Sequence, residues 1–242
     1  MALPKLNTIF YDLDLPYSKK TIKYRPFVIG EQKIMMIAME TKDTSQIFNS
    51  MKQAIQACTN NTVDVSKLPL FELEYIFLNI RMKSVGEKTR IMLACGECMA
   101  ENEVEVDLRE TRFFQPDETK KDNIIFLTDK LAVKMNIPNM EMLQKVEKSK
   151  NKDDDEINTT EILFEIVLQS VESILDEENE YKIDDSNRGE LKEFIDSLSS
   201  EQFIKIQDFL NNAPILKLDV KHNCEKCNHD MSTELQGINN FF

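Results

Sequence analysis

Four of the five cysteines in this 242-residue chain form two short pairs, Cys95-Gly96-Glu97-Cys98 and Cys224-Glu225-Lys226-Cys227, separated by 125 residues. One C-x-x-C turn offers two sulfurs to a metal ion. Two such turns facing each other supply four thiolates, the set that Zn²⁺ takes in a tetrahedral structural site. Strand-like sequence adjoins each pair: residues 90–94 lead into the first and 103–108 leave it, while 216–220 lead into the second. The pattern is a strand, a knuckle and a second strand, occurring twice. It predicts a zinc-ribbon-like Cys₄ site of Cys95, Cys98, Cys224 and Cys227 whose halves are split by a long insertion. A redox C-x-x-C is expected beside a βαβ pattern, with its first thiol lowered in pKa at a helix N-terminus. Neither pair opens a helix. A disulfide or an iron–sulfur cluster is the other chemistry that four cysteines could serve. His222 and His229 flank the second pair, and imidazole is a good zinc ligand; with four thiolates at hand, both are assigned as non-ligands. A Cys₄ site has no open position for an activated water, so its one Zn²⁺ is expected to supply folding energy rather than catalysis.

Other catalytic arrangements are missing. The sequence holds no G-x-x-x-x-G-K-[S/T], H-E-x-x-H or G-x-S-x-G motif, and two histidines leave little scope for a nucleophile–base pair. The plentiful carboxylates read as solvated surface. An enzyme is not expected.

Composition narrows the classes further. With 41% apolar and 30% charged residues, five glycines and no tryptophan, the chain can build a core and is neither collagen-like nor glycine-rich. No apolar run reaches the ~18 residues of a membrane span, and residues 1–5 lack the layout of a signal peptide. Synthesis in a reducing cytoplasm is expected, where paired cysteines favour metal over disulfide. The net charge of −13 is uneven, with 13 basic and 9 acidic residues (+4) over 1–94 and 17 and 34 (−17) over 95–242. Nucleic-acid binding rests on phosphate neutralisation, and an acidic chain without a basic stripe is a poor candidate for it. A zinc-ribbon nucleic-acid or transcription regulator is the alternative reading; Glu97, Glu101 and Glu103 around the first pair count against it.

The elements that must position the cysteines follow from hydrophobic period. Alternation of Ile9, Tyr11, Leu13 and Leu15, then Ile22 and Tyr24, predicts a hairpin that ends before Pro26. Residues 31–40 read as a buried helix. Ile47, Met51, Ile55 and Cys58 form the apolar stripe of a second helix, which Asp43 can cap; Cys58 is assigned to the core. Pro69 opens a third, central helix through Phe71, Leu73, Ile76, Phe77 and Ile80. Gly86 breaks the chain before the first cysteine hairpin. Residues 109–123 read as a loop or linker, 124–137 as a hairpin, 139–146 as a short helix and 148–156 as a polar surface loop. An apolar helix is expected over 162–175, ended by the acidic run 176–185. Two amphipathic helices follow, over 187–198 and from Ser199 through Leu210, before the second cysteine hairpin. The fold class is therefore α+β: β-hairpins plus a helical bundle, with the Cys₄ site joining two distant hairpins. Four segments are expected: 1–108 with the first knuckle, 109–158, 159–214 as the helical part, and 215–242 with the second knuckle and tail, together making one or two compact domains.

Four stretches of wording point to a family. They are Leu3-Pro4-Lys5-Leu6-Asn7 with Ile22-Lys23-Tyr24-Arg25-Pro26-Phe27; Asp64-Val65-Ser66-Lys67-Leu68-Pro69-Leu70-Phe71-Glu72-Leu73-Glu74-Tyr75; Arg81-Met82-Lys83-Ser84-Val85-Gly86-Glu87; and the close, with Cys224, Cys227 and residues 235–242. In these the chain resembles, over its whole length, the baseplate hub assembly proteins of T4-like bacteriophages, a family of hub subunits or tail-assembly chaperones. The resemblance implies a non-enzymatic role in building the hub, other baseplate hub or tail proteins as partners, and residence in the cytoplasm of an infected bacterium or in the virion tail. It carries no catalytic residue, and the family has cysteines where the two pairs stand. Phe241 and Phe242 are candidate partner-binding anchors, since exposed aromatics give large contact area at low entropy cost.

Overall fold

The computed structural model describes residues 8–41, 44–115, 123–149 and 159–237. The chain starts with a hairpin of β1 (Tyr11–Asp14) and β2 (Thr21–Tyr24), continues through helices α1 (Ile29–Glu40), α2 (Thr44–Cys58) and α3 (Leu70–Ser84), and then forms strands β3 (Lys88–Ala94), β4 (Glu101–Asp107) and β5 (Arg112–Phe114). Next come β6 (Ile124–Phe126), β7 (Ala132–Met135), α4 (Met140–Ser149), α5 (Thr159–Ser170), β8 (Val171–Leu175), β9 (Glu180–Lys182), α6 (Arg188–Asp196) and α7 (Ser200–Asn211). It closes on β10 (Ile215–Asn223) and β11 (Asp230–Gln236). These elements form two compact units, Met1–Phe114 with Ile215–Phe242, and the inserted Gln115–Pro214.

In the first unit α3 is the central helix. Phe71, Leu73, Ile76, Phe77, Leu78 and Ile80 are buried on it, so it is covered on most sides. Sequence fixes its ends: Pro69 at the N-cap costs no hydrogen bond, and Gly86, at φ +128°, supplies a conformation closed to other residues. Glu72 in its first turn is fully buried, and its carboxylate accepts from the backbone N–H groups of Tyr17 (2.8 Å) and Ser18 (2.7 Å), tying the β1–β2 turn to the helix. The hairpin buries Leu13, Leu15, Ile22 and Tyr24 as its alternation predicts, whereas Ile9 lies before it and is exposed. On α2, Met51, Ile55 and Cys58 are fully buried; the cap expected of Asp43 lies outside the described residues.

A second core joins α3 to the cysteine hairpins. Leu78 packs with Ile91 and Val106 of the β3–β4 pair and with Leu216, Leu218, Val220 and Leu235 of the β10–β11 pair. Strand β5 adds to β10, giving the antiparallel order β11-β10-β5 with Ile215 opposite Phe114. Residues 109–115 are therefore not wholly a linker. Their Arg112-Phe113-Phe114 run is too short for a period to reveal, yet Phe113 packs against Tyr75 and Phe71 of α3 at ring separations of 4.9 and 5.8 Å.

The inserted unit is a four-stranded antiparallel sheet, β6-β7-β8-β9, with helices α4 to α7. Val133, Met135, Val167, Val171, Leu191, Ile195 and Ile206 build its core. The helix expected to start at Ser199 does so, and Ser199 forms a capping box with Gln202. The helix expected over 162–175 is corrected here: it stops at Ser170, whose Oγ bonds back to the Ile166 carbonyl, and 171–175 form β8 paired with β7. Val171 and Ser173 face inward on that strand, a period of two hidden inside a long apolar run. The acidic stretch after it also contains β9, exposed along its length. The polar loop lies mostly outside the described residues.

Candidate metal centre

The two cysteine pairs stand on hairpins of identical layout. In the first, Ala94 pairs with Glu101; in the second, Asn223 pairs with Asp230. Each first cysteine donates its N–H to the carbonyl five residues on (Cys95 to Ala100 and Cys224 to His229, both 2.9 Å) and accepts from the N–H four residues on (Met99, 3.0 Å; Asn228, 2.8 Å). Closing so tight a turn drives Met99 and Asn228 into the left-handed region, at φ 56° and 58°. The two knuckles are structural copies, although only the cysteines match in sequence.

The structure brings all four sulfurs together. Cys95 Sγ lies 3.7 Å from Cys227 Sγ, and Cys98 Sγ lies 3.6 Å from Cys224 Sγ. All four fall within 4.8 Å of one another. A tetrahedron with Zn–S bonds of about 2.3 Å has sulfur–sulfur edges of about 3.8 Å, so the donor set fits a four-coordinate soft metal. No disulfide joins any of them. The pairing is across hairpins, each knuckle contributing one sulfur to each close contact.

The backbone prepares the site for a cation. The N–H of Cys227 and, against the cost of burial, that of Lys226 point at Cys224 Sγ and pull this thiol down to about 6. Cys227 receives the N–H of His229, which favours its thiolate, but hydrogen bonds with the thiols of Cys98, Cys224 and Cys95 hold its proton and push it up to about 12. Four sulfurs this close do not all ionise without a cation among them.

Asn102 is a site residue that the cysteine spacing does not reveal. Buried on β4, it donates to the carbonyls of Ala100 (2.9 Å) and Leu93 (3.3 Å) of its own hairpin, and its Oδ1 accepts from the N–H of Glu225 (2.9 Å) in the other knuckle. It ties the two halves together without using a thiol. The signal in the sequence is an amide among valines: residues 102, 104 and 106 share one face of β4, and only the first is polar.

Neither histidine belongs to the four-sulfur cluster. His222 sits on the inward face of β10, both ring nitrogens shielded and without a hydrogen-bond partner among the described residues. His229 lies in the exposed turn and serves the site through its backbone. Glu97, Glu101, Glu103 and Glu225 are exposed around the knuckles, so the surface there is acidic. Cys58 is buried, 3.7 Å from a carboxylate oxygen of Glu31, and desolvation pushes its thiol up to about 12, as expected of an inert core cysteine. Phe241 and Phe242 lie outside the described residues. Among those described, no helix is long and apolar enough to cross a membrane.

Comparison with curated proteins and with solved structures gives no significant match. A family model described as T4 bacteriophage base plate protein matches residues 7–242, spanning both cysteine hairpins and the insertion between them. On that match, which covers nearly the whole chain, the protein belongs to the T4 bacteriophage base plate protein family.

Proposed function

We propose that this baseplate protein is a non-enzymatic hub subunit or hub-assembly chaperone whose first unit is locked by one structural Zn²⁺ on Cys95, Cys98, Cys224 and Cys227. The observation that carries the metal is the convergence of four unbridged sulfurs, from hairpins 125 residues apart, on one point at tetrahedral spacing. A closed thiolate set leaves no site for an activated water, so such a metal would stabilise and not react. The metal joins two hairpins that share the core beneath α3, and its binding energy is folding energy of that unit. The acidic surface around the knuckles favours protein partners over nucleic acid. Those partners are other hub or tail components, met in the cytoplasm of the infected bacterium.

Metal analysis of the purified chain beside Cys95→Ser tests the zinc. About one zinc per chain is expected, falling to near none in the variant together with a large loss of stability. Full zinc retention by the variant would show the ligand set to be wrong. Co-expression with hub components and pull-down tests the role: a chain that captures none of them and remains stable alone is not a hub protein.

A further inference from the structure

Residues 31–40 are expected to form a buried helix, yet α1 turns much of its apolar sequence to solvent. Met35 and Ala38 are buried, whereas Ile29 is 80% exposed and Met36, Ile37 and Ile34 are 57, 52 and 49% exposed. A contiguous apolar face on a soluble chain marks an interaction site more often than a chance exposure.

The charges on that face say what covers it. At about 100° per residue, Ile29, Lys33, Met36 and Glu40 lie within roughly 60° of one another, with Ile37 beside them. Lys33 and Glu40 are exposed, and neither makes an ion pair among the described residues. They stand in the middle of the apolar stripe, where a partner must answer them with opposite charges at the same separation, about 10 Å, in reversed order. α1 itself presents that pattern.

We propose that two copies of this chain associate through α1, the helices antiparallel about a twofold axis between Met36 and Ile37. In that arrangement Lys33 of each copy meets Glu40 of the other, and Met36 meets Ile37, each contact occurring twice as twofold symmetry requires. Two 12-residue helices bury less than a standard interface of about 1,200 Å² or more, so the dimer is weak and forms in the micromolar range. Crowding of copies in an assembly intermediate would raise its occupancy.

Sedimentation equilibrium of the full chain, from about 1 to about 300 µM, tests this. The wild type shows a concentration-dependent dimer. Lys33→Glu and Glu40→Lys each weaken it about tenfold, because each converts two attractions into two repulsions. An equimolar mixture of the two variants, and separately the double variant K33E/E40K, recover wild-type association. That recovery distinguishes a reciprocal antiparallel contact from loss of fold, and matching thermal melts confirm it. A monomer throughout the range, charge reversals without effect, or a dimer that appears only when residues 238–242 are removed would overturn the proposal; the last would mean that the tail occupies this face.

Discussion

Asn102→Ala separates the clasp from its thiols. Removing the amide leaves the N–H of Glu225 without its acceptor and the Ala100 carbonyl without its closest side-chain donor, at a position that is 2% exposed. An orphaned buried donor costs about 1–3 kcal/mol, and the second lost bond about 0.5–1.5. The expected destabilisation of the first unit is therefore about 2–4 kcal/mol. For a unit of this size that corresponds to a fall in Tm of about 10 °C. If Zn²⁺ occupies the sulfurs, the same change should speed its release to a chromophoric chelator by about 10- to 100-fold, because Asn102 holds the second knuckle against the first. Both quantities are read on one preparation, by thermal unfolding and by the chelator reaction. A Tm within about 2 °C of wild type, with an unchanged rate of release, would show that Asn102 is a bystander.

Two further changes probe other parts of the first unit. Arg25 grips Glu31 through both guanidinium nitrogens (2.8 and 2.6 Å), and the Val28 N–H adds a third bond. Burial opposes the charge on Glu31, but these donors outweigh it and hold the carboxyl below its ordinary range. A depressed carboxylate stabilises the fold above its unfolded pKa of about 4.5 and loses that contribution as pH falls through its folded value. Glu31→Gln should therefore cost about 2 kcal/mol at pH 7 and much less near pH 3; denaturant midpoints at both pH values check this, and a gap independent of pH would refute it. Met99→Gly should stabilise by about 0.5–1 kcal/mol, since φ 56° strains methionine and not glycine. A lower Tm for that variant would mean that the exposed methionine side chain contributes contacts outweighing the strain.

The parts of the fold legible in the sequence are those where one face is buried and the other wet. The β1–β2 hairpin, α2 and the amphipathic α6 and α7 show their period openly, because water selects against apolar residues on the outer face; α3, covered on most sides, is marked instead by Pro69 and by its length. The C-x-x-C pairs are legible for a different reason, their chemistry being specific to residue type and spacing. Where apolar residues run without interruption the period vanishes, as at the passage from α5 into β8 and along α1, whose exposed side no pattern distinguishes from its buried one. Strands of three residues, β5 and β9, are too short to carry a pattern. Asn102 could have been found by asking why an amide shares a strand face with valines; the partner it holds, the Glu225 backbone, is out of reach of any local rule.

The pairing of β5 with β10 has a consequence for how this protein is made. The insertion leaves and re-enters the first unit on neighbouring strands, so half of that unit's shared core, Leu216, Leu218, Val220 and Leu235, is synthesised only after the entire insertion. On the ribosome the inserted unit thus has its complete sequence first, while the host unit waits for its last two strands and for Cys224 and Cys227. If the four sulfurs hold a metal, its capture is the final step of maturation. Nascent chains arrested with Pro214 just outside the exit tunnel should resist protease within 123–149 and 159–214 and remain sensitive before Phe114; protection of both segments at that length would place folding of the host unit earlier.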